Sequence, residues 1–223
     1  MIVVHHLENS RSQRILWLLE ELGVDYELRI YRRDPKTMLA PASLRAVHPL
    51  GKSPVISDGQ RVVAESAVII EYLLDHYGGA RLRPQAGSDA YEMYRYWLHF
   101  AEGSVMPYLV MKLVFRKVET GPMPFFVRPI AKRIAQEVGR QFIDPNMQQI
   151  VAYIDDWLNT HTWFAGAELS GADIQMSFVM EALATQAEVM ARYPRLQAYV
   201  DAMRARPAYQ RALERGGPLQ LQP

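Results

Sequence analysis

Residues 10–23 read SRSQRILWLLEELG, a stretch with the spacing of an amphipathic helix. Its apolar side chains recur at i, i+3, i+4 and i+7, which places them on one helical face. Ser10 or Ser12 can cap the start of this helix, and Gly23 can end it. The residues on the apolar face are Ile15, Leu18, Leu19 and Leu22.

Strand patterns flank this helix on both sides. The β-branched run Ile2-Val3-Val4 precedes it, and residues 26–31 alternate apolar and polar after it. Two strands joined through a helix form a parallel pair. The first thirty residues therefore predict a parallel βαβ unit.

A hairpin and a further helix complete the first part of the chain. The hairpin strands are residues 54–56 and 61–64, joined by the tight-turn dipeptide Asp58-Gly59. A helix then opens at Glu65-Ser66 and ends at Gly78-Gly79. With a short helical stretch within residues 36–47, these elements predict the order β-α-β-α-β-β-α.

The rest of the chain reads as helical. Residues 81–87 contain Pro84 and Gly87 and are the best linker, so we predict one domain over residues 1–80 and a second over 88–223. Ser170-Gly171-Ala172-Asp173 matches a helix capping box with Asp in the last position. The sequence therefore predicts an α/β domain followed by an all-α domain. Five apolar stripes at helical spacing begin at Tyr94, Val127, Ile150, Met176 and Leu196.

Composition excludes several classes of protein. The 223 residues include 25 Lys and Arg, 24 Asp and Glu, and no Cys. We therefore expect no disulfide, no thiolate metal site and no protein thiol nucleophile. A net charge of +1 gives no global attraction to nucleic acid. No apolar run is long enough to span a membrane and no signal peptide is evident, so we expect a cytoplasmic protein.

Three short segments of the first domain carry groups that suit chemistry. The first is Asn9-Ser10-Arg11-Ser12, between a strand end and a helix start, where backbone N–H groups and the helix dipole favour an anion. A hydroxyl there can donate a hydrogen bond to a thiolate. The alternative is that a serine here only caps the helix, which is the common role of Ser at such a position.

The second segment is Gly51-Lys52-Ser53-Pro54-Val55. A proline that opens a strand after a turn is a candidate cis-proline, which would expose the backbone of Ser53 to an extended ligand. Lys52 can pair with a carboxylate. The alternative is a trans-proline at a strand edge with a solvated lysine.

The third segment is Glu65-Ser66, at the junction of a strand and a helix. Glu65 can pair with an ammonium group, while the hydroxyl and N–H of Ser66 can hold a carboxylate. The pair together suits a zwitterionic amino-acid head group. The alternative is that Ser66 is a plain helix cap.

Taken in order, these motifs resemble the cytosolic glutathione transferases. The resemblance covers essentially the whole chain, because the helical domain also has the family's capping box at residues 170–173. The segment from Ser10 to Gly23 is similar to bacterial and fungal members. The family fold is a thioredoxin-like domain followed by a helical bundle, usually as a homodimer.

The resemblance implies a role for each residue of the glutathione site. Glu65 and Ser66 would bind the γ-glutamyl head, and Lys52 would hold the glycyl carboxylate. Ser53, ahead of a cis-Pro54, would pair through its backbone with the cysteinyl part. Glutathione would be the co-substrate. We find no spacing of metal ligands, since His5 and His6 point to opposite faces of the first strand.

The resemblance is less direct for the group that activates the thiol. Family members with a loop cysteine place it where Ser10 stands, whereas the catalytic serine of other members matches Leu7 or Glu8. Ser10 is therefore our first choice, followed by Ser12 and Asn9. A water molecule or a backbone N–H is the remaining alternative.

The activated thiolate would attack a small hydrophobic electrophile or a hydroperoxide. Aromatic and Met side chains suit an adaptable apolar pocket, and we predict such a pocket on helix 91–118. The alternative function is a non-catalytic protein of the same fold, of the starvation-protein type. A regulatory relative of that type need not bind glutathione. The predicted pocket residues are Trp97, Met106, Tyr108 and Met111.

Overall fold

The computed structural model describes residues 1–78 and 80–221. Within them lies one four-stranded sheet in the order β2-β1-β3-β4. Strand β1 pairs in parallel with β2 and antiparallel with β3, which pairs antiparallel with β4. The predicted βαβ unit and hairpin are therefore both confirmed. The strands are β1 (Ile2–Leu7), β2 (Tyr26–Tyr31), β3 (Val55–Asp58) and β4 (Arg61–Ala64).

Three helices accompany the sheet. Gly23 ends the first of them with a positive φ of 67°, the left-handed conformation that favours glycine. The third continues into a π-helical turn, Leu74–Gly78. Gly79, expected to close this helix, lies outside the described residues. The helices are α1 (Gln13–Leu22), α2 (Ala42–Val47) and α3 (Ser66–Leu73).

The second part of the chain is helical, as the sequence predicts. Between residues 80 and 88 the described backbone forms neither helix nor strand. The exact domain boundaries stay a prediction. Two π-helical turns, Ala101–Val105 and Gly139–Ile143, join consecutive helices. The helices are α4 (Asp89–Phe100), α5 (Met106–Thr120), α6 (Arg128–Val138), α7 (Asp144–Thr160), α8 (Gly171–Ala184), α9 (Ala187–Arg192), α10 (Pro194–Arg204) and α11 (Pro207–Gly216).

One of the five predicted apolar stripes, on α6, does not form a buried face. In α6, Ala131 is buried, but Ile130 and Ile134 are 61% and 52% exposed. The buried face of α6 consists of Ala131 and Ala135, small residues that allow α5 to pack closely. Apolar spacing shows that a helix has an apolar face, but it does not show whether that face packs against the core.

The capping box predicted before α8 is present. The Ser170 hydroxyl accepts a hydrogen bond from the Ala172 N–H at 3.2 Å, and the Asp173 carboxylate accepts one from the Ser170 N–H at 2.8 Å. Asp173 also accepts from the Phe164 N–H and the Tyr199 hydroxyl. This buried carboxylate therefore ties the start of α8 to the preceding loop and to α10.

Helix α1 holds the two parts of the chain together. It packs against α8 on one side and α11 on the other. Arg206 pairs with Glu21 at 2.5 Å, and Arg211 pairs with Glu20 at 2.8 Å. The loop that precedes α1 is thus supported by the far end of the chain. No helix among the described residues combines the length and apolar character needed to cross a membrane.

Candidate functional site

The loop between β1 and α1 carries the hydroxyl groups that the sequence singled out. Ser10 and Ser12 are both buried, and their Oγ atoms lie 2.8 Å apart. Asn9 has a positive φ of 50°, and its side-chain oxygen accepts a hydrogen bond from the Gln220 N–H at 2.7 Å. Of the three predicted activators, Asn9 is thus engaged by the C-terminal segment.

Ser12 occupies the position of a helix cap, but its side chain has another role. Its Oγ lies 2.9 Å from Nδ1 of His6, and within the described residues it forms no cap to α1. Because Ser12 has no exposed surface, a ligand does not reach it without a rearrangement. The simple capping interpretation of Ser12 is therefore wrong.

The Ser53-Pro54 peptide bond is cis. The Ser53 hydroxyl donates to the His5 carbonyl at 3.1 Å and accepts from the Leu7 N–H at 3.4 Å. Its Oγ also lies 3.4 Å from Oγ of Ser10. These contacts fix the turn before β3 against the end of β1, so both loops open on the same side.

The junction of β4 and α3 has an unusual backbone. Glu65 is exposed and adopts φ 72° and ψ 126°, a conformation that non-glycine residues rarely use and that clusters at functional sites. Ser66 is the first residue of α3 rather than its cap, so the capping alternative is wrong. Its buried hydroxyl accepts a hydrogen bond from the Arg14 guanidinium at 3.4 Å.

These segments border one cleft of about 120 Å³. Cationic groups of Arg11 and Lys52 and carboxylates of Glu65 and Glu102 face it, which suits a ligand that carries both signs of charge. All five residues expected to hold glutathione line this cleft. They are Lys52, Ser53, Pro54, Glu65 and Ser66.

Sequence reasoning missed an ion-pair cluster at the same place. Glu102, in the π-helical turn after α4, lies 3.2 Å from Nε of Arg11 and 2.5 Å from a terminal nitrogen of Arg14. Arg14 is fully buried, and burial lowers its pKa to about 10 although the Glu102 carboxylate opposes the shift. Arg14 therefore stays charged at neutral pH. The only signal for this cluster in the sequence is the presence of Arg14 beside the run of apolar residues in α1.

A second, larger cleft of about 390 Å³ adjoins the first and shares Glu65, Ser66 and Glu102 with it. Leu98, on α4, contributes to its lining. The side-chain oxygen of Gln175, another lining residue, is buried with no hydrogen-bond partner in the part of the chain described. The larger cleft thus lies between the start of α3 and the end of α4, next to the smaller one.

The predicted electrophile pocket does not gather into either cleft. Trp97 is fully buried among aromatic rings of the core, and Met106 is buried in the same core. Tyr108 and Met111 are half-buried, and the Tyr108 hydroxyl donates to the Asn146 side chain on α7 at 3.1 Å. The apolar residues that α5 exposes are instead Val110, Leu113, Val114 and Val118.

The stability of the protein is expected to depend on His6 below neutral pH. Burial lowers the pKa of His6 from the ordinary value of 6.5. The unfolded chain therefore takes up a proton at pH 6.5 before the folded protein does, and stability falls as pH drops from 6.5 through the folded pKa. His6→Asn removes this contribution. Urea unfolding of the wild type and of His6→Asn at pH 7.5 and pH 5.5 checks this prediction. If the free energy of unfolding falls equally in both proteins between the two pH values, the prediction is wrong.

Comparison with known proteins agrees with the geometry. Residues 10–76 match the family model described as the glutathione S-transferase N-terminal domain, and residues 123–215 match that of the C-terminal domain. Glutathione S-transferase 3 of Schizosaccharomyces pombe is 34% identical over 217 residues, which cover 96% of this chain and 88% of the relative. The chain belongs to the glutathione S-transferase family.

Solved structures extend this family relationship to the fold. A glutathione S-transferase from Actinobacillus pleuropneumoniae is 35% identical with a TM-score of 0.76, covering 99% of this chain and 95% of that one. A sphingomonad glutathione S-transferase, solved in complex with glutathione, has the same fold, with a TM-score of 0.71 and 24% identity over 96% of this chain and 98% of that one. The thioredoxin-like domain followed by a helical domain is thus the glutathione S-transferase fold.

Proposed function

We propose that this glutathione S-transferase family member binds glutathione in the smaller cleft, activates its thiol, and transfers the thiolate to a small hydrophobic electrophile. The observation that carries the proposal is that Lys52, Ser53, Pro54, Glu65 and Ser66 line one cleft. The sphingomonad structure solved with glutathione, which has the same fold, supports the choice of ligand.

The side chains of the cleft match the charges of glutathione. Glu65 binds the ammonium of the γ-glutamyl head, and Ser66 its carboxylate. Lys52 pairs with the glycyl carboxylate at the other end of the ligand. The backbone of Ser53, exposed by the cis bond to Pro54, pairs with the cysteinyl residue between them.

Ser10 is the loop hydroxyl nearest to the cleft, since its Oγ lies 3.4 Å from that of the lining residue Ser53. Free thiols have a pKa of about 8.5. A hydrogen bond to a charged acceptor contributes about 1.5–3 kcal/mol, which corresponds to a lowering of the thiol pKa by about 1–2 units. The thiolate then forms a C–S bond at the electrophile and expels its leaving group.

For the electrophile we propose the exposed apolar face of α5. Gly103 lines the larger cleft, and Val110 lies seven residues further along the same helical rod. The π-helical turn Ala101–Val105 leads directly into α5, so the exposed face of α5 continues the stretch of chain that borders the larger cleft. Val110 is 44% exposed and Val114 is 50% exposed, as expected of a surface that an apolar ligand covers. Reduction of a hydroperoxide would use the same thiolate.

The homodimer stays part of the proposal. Tyr96 on α4 and Tyr153 on α7 lie edge to face with ring centroids 6.3 Å apart, and each is about 40% exposed. Such a paired aromatic surface suits contact with a second copy. Light scattering on the purified protein measures the oligomeric state directly.

Thiolate formation tests the proposed function. We expect glutathione bound to the wild-type protein to show a thiol pKa about 1–2 units below the free value by ultraviolet difference titration. Ser10→Ala is expected to return the pKa toward the free value without loss of glutathione binding. Asn9→Ala serves as the control, because Asn9 faces the C-terminal segment.

The two other outcomes are equally clear. If Ser10→Ala titrates as the wild type does, another group activates the thiol. If glutathione does not bind at all, the transferase function is wrong and a non-catalytic protein of the same fold takes its place. Turnover of a nitro-activated aryl chloride and of an organic hydroperoxide then separates transferase from peroxidase activity.

A further inference from the structure

A chain of hydrogen bonds runs inward from the Ser10 hydroxyl. Oγ of Ser10 lies 2.8 Å from Oγ of Ser12, which lies 2.9 Å from Nδ1 of His6. Nε2 of His6 lies 3.0 Å from the carbonyl oxygen of Gly216, at the end of α11. Ser10, Ser12 and His6 are all buried. The chain therefore links the edge of the cleft to a histidine that lines neither cleft.

The Gly216 carbonyl sets the direction of this chain. A carbonyl only accepts hydrogen bonds, so Nε2 of His6 carries a hydrogen. Burial lowers the pKa of His6, so the imidazole is neutral at pH 7 and its Nδ1 is an acceptor. Ser12 then donates to Nδ1 of His6, and Ser10 donates to Ser12.

This direction decides what Ser10 presents to the cleft. The hydrogen of Ser10 points to Ser12, whose Oγ at 2.8 Å is nearer than the Ser53 Oγ at 3.4 Å, and one lone pair of the Ser10 Oγ accepts the Ser12 N–H at 3.3 Å. The other lone pair is left for a group in the cleft. Before the reaction, Ser10 therefore meets a bound thiol as an acceptor of its S–H proton.

We propose that Ser10, Ser12 and His6 form a proton relay that carries the glutathione thiol proton inward to His6; this inference rests on the proposed function. The S–H bond breaks as a new O–H bond forms on Ser10. The original proton of Ser10 moves to Oγ of Ser12, and that of Ser12 moves to Nδ1 of His6. The products are a thiolate, two neutral hydroxyl groups and an imidazolium.

The relay also stabilises its own product. After the transfer every hydrogen bond in the chain is reversed, so His6 donates to Ser12, Ser12 donates to Ser10, and Ser10 donates to the thiolate. The same serine therefore first accepts the proton and then holds the anion. His6 and Ser12 act only through Ser10, and they are positioning residues rather than groups that touch the sulfur.

The charges around His6 determine how readily it accepts the proton. Burial opposes the imidazolium, whereas the Gly216 carbonyl and the nearby Glu8 carboxylate favour it. From α1, the neutral side chain of Gln13 packs against Gly216 beside His6. The thiolate itself adds a further negative charge at the other end of the chain. These negative groups offset part of the cost that burial imposes on the imidazolium.

Helix α11 holds the inner end of the relay. A Cβ added at Gly216 would lie 2.5 Å from Leu16, 2.7 Å from Gln13 and 3.3 Å from Cε1 of His6. A side chain at this position would have to displace the ends of the Leu16 and Gln13 side chains that pack against the helix end beside His6. The helical domain therefore selects the tautomer of a histidine in the thioredoxin-like domain.

The protonation state of His6 tests the relay directly. Protein labelled with ¹⁵N-histidine is titrated with glutathione and with S-methylglutathione, which has no thiol proton to give. We expect the His6 ring nitrogens to report imidazolium with glutathione and neutral imidazole with S-methylglutathione. Thiolate absorbance, followed in parallel, should appear without release of a matching proton to the solvent.

Two variants cut the relay while leaving Ser10 in place. Ser12→Ala removes the middle hydroxyl, and His6→Asn keeps an amide beside Ser12 that cannot take up a proton. Both are expected to raise the bound thiol pKa by about 1–2 units and to lower kcat, with the KM for glutathione unchanged. His5→Asn is the matched control, since His5 is equally buried on the same strand but bonds to Tyr31 and Ser57 instead.

The outcomes separate the relay from the proposed function. If glutathione binds and its thiolate forms while His6 stays neutral and one proton is released, the relay is wrong and the transferase function stands. Wild-type thiol pKa values in both variants would equally overturn it. If glutathione forms no thiolate in the wild-type protein, the proposed function itself fails. The nuclear magnetic resonance measurement uses wild-type protein, so it holds even if a variant does not fold.

Discussion

Asp173→Asn is expected to lower the free energy of unfolding by about 3–4 kcal/mol, because each buried donor left without an acceptor costs about 1–3 kcal/mol. The two carboxylate oxygens of Asp173 accept four hydrogen bonds, from the Phe164 and Ser170 N–H groups and the Ser170 and Tyr199 hydroxyls. An asparagine offers one oxygen, so its amide nitrogen faces two donors. Thermal unfolding should shift downward by about 10 °C for a chain of this size.

Matched variants distinguish this effect from a general response to mutation. Tyr199→Phe removes one of the four hydrogen bonds and is expected to cost about 1 kcal/mol. Asp201→Asn changes an exposed carboxylate on the neighbouring helix α10, where it accepts from Gln197, and should change stability little. Equal losses for Asp173→Asn and Asp201→Asn would show that the buried carboxylate is not a structural hub.

The contribution of Asp173 is also expected to depend on pH. Burial raises its pKa to about 6, although the hydrogen bonds from Phe164, Ser170 and Tyr199 oppose the shift. Between the unfolded value of 3.8 and about 6 the folded protein binds the additional proton, so stability decreases as pH rises through this interval. Asparagine does not titrate. The difference in stability between wild type and Asp173→Asn should therefore be larger at pH 4.5 than at pH 7.5.

Glu102→Gln is expected to lower the free energy of unfolding by about 2–3 kcal/mol. The variant leaves the fully buried Arg14 guanidinium without its carboxylate, and loss of one partner of a buried pair costs about 3–5 kcal/mol. The side chain of Glu102 is 36% exposed, so water replaces part of the lost interaction and the effect is smaller. Two further nitrogens of Arg14 are buried with no hydrogen-bond partner in the described chain. Glu102 is therefore the main group that compensates the charge of Arg14.

A double variant separates the charge from the packing. Replacing Arg14 by Met together with Glu102→Gln removes both charges while keeping an apolar side chain of similar length. Such replacements of buried ion pairs are often neutral, so the double variant should be more stable than Glu102→Gln alone. Glu137→Gln, in an exposed pair with Arg140, is the surface control. If the double variant is the least stable of the three, the pair itself rather than the uncompensated charge stabilises the protein.

Local sequence patterns were sufficient to predict most of the helices and strands in the first eighty residues. The spacing in α1, the β-branched run before it and the Asp58-Gly59 turn each predict one element, and together they predict the parallel pair β1–β2 and the hairpin β3–β4 that the sheet contains. The signals are local because periodicity and turn chemistry are set by neighbouring residues. The capping box at Ser170 and Asp173 succeeded for the same reason.

Contacts between distant parts of the chain were not predictable in this way. No sequence pattern predicted helix α11, yet this helix packs along α1. The carbonyl of its last residue, Gly216, accepts a hydrogen bond from His6, which lies 210 residues earlier in the sequence. Ile130 and Ile134 showed the reverse error, since their apolar spacing predicted burial and the packed helix exposes them. The periodicity of apolar residues shows which residues share a helix face, but only the packed structure shows what that face contacts.

The sequence by itself determined the order of the elements in the first domain, the family motifs and five of the residues that line the smaller cleft. Its residue types and short spacings carry that information locally. The tertiary structure alone decided which hydroxyl stands beside the cleft, why Ser12 turns to His6 instead of capping α1, and how Glu102 meets Arg14. Those outcomes depend on side chains brought within about 3 Å of each other by the packing of α11, α4 and the sheet around α1, and no sequence pattern encodes such distances.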